Sequence, residues 1–209
     1  MTQFIVFLPS ILIGLFFFLF TVLLPLRYKK LNANLVDYYK GTENYLLGEI
    51  SLVYSTIKFR ISRISRGGRG YYLGLWTYVT SVERIIIGHA QSAKYTRGKF
   101  LFLPTTETVD LGSMQVVIGA DDPGTIEKIK AHLADKKFIN ACSVLFNEKF
   151  NYLTVASEIH FSKFIPKKKY VLRYSPLSDR IYVNPEDLKY YLESITDICS
   201  VLNIETLID

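Results

Sequence analysis

Residues 4–26 carry no charged side chain, and only Pro9, Ser10, Gly14, Thr21 and Pro25 interrupt an otherwise strongly apolar run. About 20 helical residues, rising about 1.5 Å each, cross a hydrocarbon core of about 30 Å. Inside lipid the backbone must satisfy its own hydrogen bonds, and that requirement imposes a helix. The pattern therefore predicts one transmembrane helix. Pro9 falls near its start, where a missing N–H costs little, and Pro25 at its far end. A cleaved leader would need basic residues ahead of a shorter apolar core and a small-residue exit. The exit here, Leu23-Leu-Pro-Leu-Arg27, has none.

The pattern then changes period. Leu31–Tyr39 continues the helix until Gly41 or Gly48 ends it. Residues 50–62, 71–82, 84–95 and 99–104 read as strands, rich in Ile, Val, Tyr, Phe and Trp. Ile57, Phe59 and Ile61 alternate with Lys58, Arg60 and Ser62, as on a half-buried strand. After Ser62 the period shifts from two to three, which predicts a bulge or the strand's end. Gly67-Gly68 and Gly70 mark one turn, Thr96-Arg-Gly98 another, and residues 115–119 a short strand. Asp122 and Pro123 then open a helix with an apolar face at Ile126, Ile129 and Leu133. Phe138, Ala141, Cys142 and Leu145 predict a second short helix, and residues 151–161 and 170–174 two more strands. Asn184-Pro-Glu-Asp opens the clearest helix, whose apolar face runs through Leu188, Tyr191, Leu192, Ile195, Ile198, Cys199 and Leu202. The expected class is α+β: one N-terminal transmembrane helix, then a mainly antiparallel sheet with two or three packed helices. Residues 1–30 form the anchor and its basic flank, and 31–209 one domain.

Composition narrows the classes. Hydrophobic residues make up 49% of the 209, which excludes a disordered chain. Two cysteines exclude a disulfide scaffold and a four-cysteine zinc site. The net charge of +6 is uneven: residues 27–104 carry 13 basic and 4 acidic side chains, and residues 105–209 carry 12 and 15. Arg27, Lys29 and Lys30 follow the apolar run directly, and cytoplasmic flanks are enriched in such residues. The prediction is an N-terminus outside and a cytoplasmic domain, in a bacterial inner membrane. Tyr28 falls at headgroup level. Free Cys142 and Cys199 fit a reducing compartment.

Candidate chemistry is sparse. Arg60, Arg63, Arg66 and Arg69 recur at a spacing of three and form the candidate contact to lipid headgroups or a partner. Arg66-Gly-Gly-Arg-Gly70 resembles a fragment of an RNA-binding RGG segment. It is a single copy between two apolar strands, so a hairpin turn is the better account and no nucleic acid is expected. His89, His132 and His160 lack metal-ligand spacing. Glu158 and His160, two apart on a strand, read as a surface pair, and Asp121-Asp122 as a helix cap. Trp76, with Tyr71, Tyr72 and Tyr78, reads mainly as core, and Lys167-Lys-Lys169 as a solvated loop. No phosphate-binding, nucleophile-elbow or zinc-protease motif is present, so no catalytic residue, metal or cofactor is assigned. The functional expectation is a single-pass membrane-anchored binding or assembly protein, an accessory subunit or scaffold. Its partners would be the bilayer through residues 4–26, anionic headgroups and other subunits of a membrane complex. The alternative is an enzyme acting on a lipid or a membrane-bound substrate.

Overall fold

The computed structural model describes residues 2–18, 24–44, 48–65, 71–80, 83–90, 105–112, 114–148, 150–162, 165–178 and 183–207. The strands are β1 (Thr42–Asn44), β2 (Glu49–Tyr54), β3 (Ile57–Ser65), β4 (Tyr71–Val79), β5 (Ile85–His89), β6 (Thr105–Asp110), β7 (Gln115–Ala120), β8 (Tyr152–Ser162) and β9 (Ile165–Ser178). They form one antiparallel sheet in the order β1-β2-β3-β4-β9-β8-β5-β7-β6. The helices are α1 (Thr2–Phe18), α2 (Leu24–Tyr39), α3 (Pro123–Ala131), α4 (Lys136–Leu145) and α5 (Pro185–Val201). Strands β1 to β4 make the expected meander. The β8–β9 hairpin then inserts between β4 and β5, so the two halves of the sheet join only through the last strands of the chain.

The core is one cluster on one face of the sheet. Ile57, Phe59 and Ile61 point into it, as their alternation predicts, and it also takes in Ile126 and Ile129 of α3, Phe138 and Leu145 of α4, and Leu188, Leu192, Ile195 and Ile198 of α5. Leu35 of α2 joins the same cluster. Trp76, Tyr78 and Val171 form a smaller cluster, with Leu207 packed on it. The β3–β4 register pairs Trp76 with Arg60, so this cluster alternates with Ile61 and Leu75 and lies on the other face.

The helix boundaries follow their caps. Asp122 accepts from the Thr125 N–H at 3.2 Å and Pro123 takes the first turn, as the sequence predicts. Asn184 accepts likewise from Glu186 N–H at 3.1 Å. At the end of α2, Gly41 N–H donates to Val36 O (2.9 Å) and Lys40 N–H to Asp37 O (3.4 Å), with Lys40 at φ 49°. The end of α5 repeats this pattern: Ile204 N–H donates to Cys199 O (2.8 Å) and Asn203 N–H to Ser200 O (3.3 Å), with Asn203 at φ 53°. Both are paired-bond stops that use a left-handed residue. The second turns the chain back across the end of the sheet, where Thr206 bridges Val79 and Leu207 N–H donates to Tyr78 O (2.9 Å).

One expectation is left unsupported and several others are corrected. No helix among the described residues is long and apolar enough to cross a membrane. The run at 4–26 is divided between α1, whose 17 residues reach about 26 Å, and α2, which starts at Leu24 and carries Arg27, Lys29 and Lys30; residues 19–23 lie outside the described residues. The strand expected over 50–62 is a hairpin. Ser55 (φ 46°) and Thr56 (φ 73°) form a two-residue turn between Tyr54 and Ile57 without the Asn or Gly that would announce it. Beyond Ser62, β3 continues to Ser65 in unbroken register with β4, so neither a bulge nor an end occurs there. The irregularity lies instead between Leu73 and Leu75, against β9. Lys167–Lys169 belong to β9 rather than to a loop, and β6 is a strand that the pattern did not show. The expectations over residues 91–104, the glycine turn at 67–70, Arg66 and Arg69 lie outside the described residues.

Candidate functional site

The arginines of β3 part company on the pleat. Arg60 pairs in register with Trp76 and lies on the face away from the helices. Its guanidinium stands 5.0 Å from both the Trp76 and Tyr78 ring centroids and 3.4 Å from Glu49 Oε1. Trp76 Nε1–H donates to Ser62 Oγ at 3.1 Å, and the two rings meet edge-on at 5.2 Å. Arg60 is thus built into a cation–π cluster that holds β3 to β4. Trp76 and Tyr78 are buried, as the core reading of Trp76 expects. Arg63 pairs with Leu73 and alternates onto the helix-bearing face with Ile61. Its Nη2 lies 2.7 Å from where a Cβ on Gly48 would sit, and Gly48, at φ 60°, holds the left-handed conformation that favours glycine. Arg60 and Arg63 therefore do not share a face. Arg27, Lys29 and Lys30 follow one another on α2. Glu158 and His160 stand in register with Lys169 and Lys167 of the neighbouring strand.

A concavity that involves titratable side chains lies elsewhere. At the end of the sheet where β4 leaves and β5 begins, a cleft of about 510 Å³ opens beneath α3 and the chain returning from α5. Ile85, Ile129, Leu202 and Ile204 line it with apolar surface, Glu83, Lys128 and Glu205 bring charge, and His132 brings an imidazole. Thr125 Oγ1–H donates to Glu83 Oε2 at 2.6 Å, and Thr80 N–H donates to Glu205 O at 3.0 Å, which fixes the returning chain as one wall. Thr125, Lys128, Ile129 and His132 share a face of α3 by their spacing of three and four. That periodicity was legible. Nothing in the sequence places Glu83 and Glu205 opposite it, because those contacts depend on the β4–β5 crossing and on the turn after α5. A shallower, hydroxyl-lined groove on the other side of Asn203–Glu205 includes Ser55, Thr56, Thr196 and Ser200.

Titration behaviour separates these surfaces from the interior. Burial pushes the Cys142 and Cys199 thiols up to about 12, so neither is a ready nucleophile. Burial likewise raises Tyr174 well above the ordinary value; its hydroxyl donates to Leu145 O and accepts from Asn151 Nδ2, both at 2.7 Å. Asp121 is held below the usual carboxylate range by its hydrogen bonds from Arg84, whose Nε lies 2.8 Å away. Asp121 is thus paired and Asp122 caps α3, in line with the capping reading. No group of three or more metal-ligating side chains occurs among the described residues. No known protein family, curated protein or solved structure matches the chain.

Proposed function

We propose that this is a single-pass membrane-anchored binding or assembly protein, an accessory subunit or scaffold of a membrane complex. In this reading residues 4–26 hold it in the bilayer, the N-terminus lies outside, and the sheet domain faces the cytoplasm of a bacterial cell. One observation carries the reading. Every described side chain from Ser10 to Phe18 of α1 is exposed, and Ile11, Leu12, Ile13, Leu15, Phe16, Phe17 and Phe18 are each 55% to 65% exposed. Burying such a side chain is worth about 1.5–3 kcal/mol, so seven left in water forgo on the order of 10 kcal/mol. Lipid supplies that burial on all sides of a helix at once. Arg27, Lys29 and Lys30, which follow the apolar run, supply the cytoplasmic flank, and Arg66 and Arg69 the further headgroup contact. Arg60, already engaged by Glu49 and two rings, contributes to the fold of that strand.

The test is flotation with vesicles containing anionic lipid, together with a fusion reporter active only in the cytoplasm placed after Asp209. The full chain should float, resist extraction by high salt, and give reporter activity. A chain lacking residues 2–26 should stay at the bottom of the gradient at physiological salt. A full chain that sediments unbound, or a silent reporter on a stably accumulated fusion, would overturn the reading.

A further inference from the structure

The structure assigns the cleft under α3 as a binding site for a small zwitterion that presents an ammonium group to Glu83 and Glu205 and an oxyanion to Lys128 and His132. The argument starts from the walls. Glu83 follows β4 and Glu205 lies on the chain returning from α5, so the carboxylates come from the sheet end and the tail. Lys128 and His132 come from α3. Thr125 ties the two sides together, since its hydroxyl reaches Glu83 at 2.6 Å. Lys128 sits one helical turn beyond Thr125, where Cβ atoms are about 5–6 Å apart, and His132 one turn further. Opposite charges therefore line one cleft.

They do not neutralise one another directly. Among the described residues no ion pair joins Lys128 or His132 to Glu83 or Glu205, although Lys130, on the other side of the same helix, pairs with both Glu107 and Glu127 at 3.0 and 2.9 Å. A two-headed ligand engages both walls at once, its ammonium group on the carboxylate side and its oxyanion on the α3 side. A monovalent cation or anion satisfies one wall only. The apolar surface from Ile85, Ile129 and Ile204 suits the short alkyl link between the two heads, and a volume of about 510 Å³ falls in the range of small-molecule sites. This site does not depend on the membrane reading. The same chemistry is found in free amino-phosphates and in the headgroup of phosphatidylethanolamine.

The test is calorimetric titration of the full chain in a non-ionic detergent with O-phosphoethanolamine, ethanolamine and inorganic phosphate. The whole zwitterion should bind at least about tenfold tighter than either half, and Lys128→Ala and Glu205→Gln should each weaken it by about tenfold or more, as loss of one charged hydrogen bond requires. Both positions are exposed, so the thermal midpoints of the variants should match the parent and show that the fold survives. Titration of the chain in phosphatidylglycerol nanodiscs, with and without phosphatidylethanolamine, then distinguishes the source. Competition by the lipid assigns the headgroup and its absence assigns a free zwitterion, and both support the site. No binding, equal binding of one half, or unchanged binding by both variants would overturn it. Failure of vesicle flotation would leave these titrations standing.

Discussion

Tyr174→Phe isolates a polar contribution within the core. Tyr174 is fully buried on β9. Its hydroxyl donates to the carbonyl of Leu145, the last residue of α4, and accepts from Asn151 Nδ2, each at 2.7 Å. Helix ends leave such carbonyls without an intrahelical donor, so the tyrosine finishes α4 from the neighbouring sheet. Phenylalanine keeps the ring and opens no cavity. What is lost is two hydrogen bonds, each worth about 0.5–1.5 kcal/mol net, and the groups left behind stay buried, at about 1–3 kcal/mol for a stranded polar atom. The expected destabilisation is about 2–4 kcal/mol. For a chain of this size that corresponds to roughly 5–15 °C in thermal midpoint. Urea unfolding of the full chain in detergent, followed by circular dichroism, measures it. Asn151→Ala should cost less alone, and the double variant should fall short of additivity by about 1 kcal/mol, because both changes break one shared bond. A loss below about 0.5 kcal/mol, or strict additivity of the pair, would refute the reasoning.

Three further outcomes are expected. Tyr39, Tyr54 and Tyr152 are raised from 10.0 to about 12 and Cys142 and Cys199 from 9.0 to about 12, each chiefly by burial, so the native chain holds protons that the unfolded chain releases. Stability should therefore be level with respect to these groups below pH 9 and fall as pH rises from about 9 to 12; urea midpoints at pH 8, 10 and 11 that do not move would count against the burial of these groups. Replacing Ser55-Thr56 by Asn-Gly should raise stability by about 1–2 kcal/mol, since both positions are left-handed and the present residues are strained there; an unchanged urea midpoint would show that the turn is not left-handed. Trp76 is the single tryptophan, so Arg60→Ala should alter its fluorescence and lower stability by about 0.5–1 kcal/mol, while an unaltered spectrum would place the guanidinium away from the ring.

What the sequence determined by itself is what rests on short range. The α+β class, the inward alternation of Ile57, Phe59 and Ile61, the caps at Asp122 and Asn184 and the buried face of α5 all follow from periodicity and from side chains bonding backbone two or three residues away. The Ser55–Thr56 turn escaped because tertiary packing on both strands overrides the local preference for Asn-Gly. Lys167–Lys169 escaped because a run of charge reads as a loop, until eleven register pairs with β8 hold it in the sheet. The division of the arginines was half legible: spacing of three alternates faces on any strand, but only the register with β4 shows that Arg60 meets Trp76 while Arg63 meets Leu73. Of the cleft, only the shared face of α3 was legible. Its walls are separated by 42 residues between Glu83 and Thr125, and they converge only after the β8–β9 hairpin has closed the sheet and Asn203 has turned the chain back over its end. Local sequence sets which face each element buries. Which side chains from distant elements come to share a solvent-filled space is decided by how the packed elements cross.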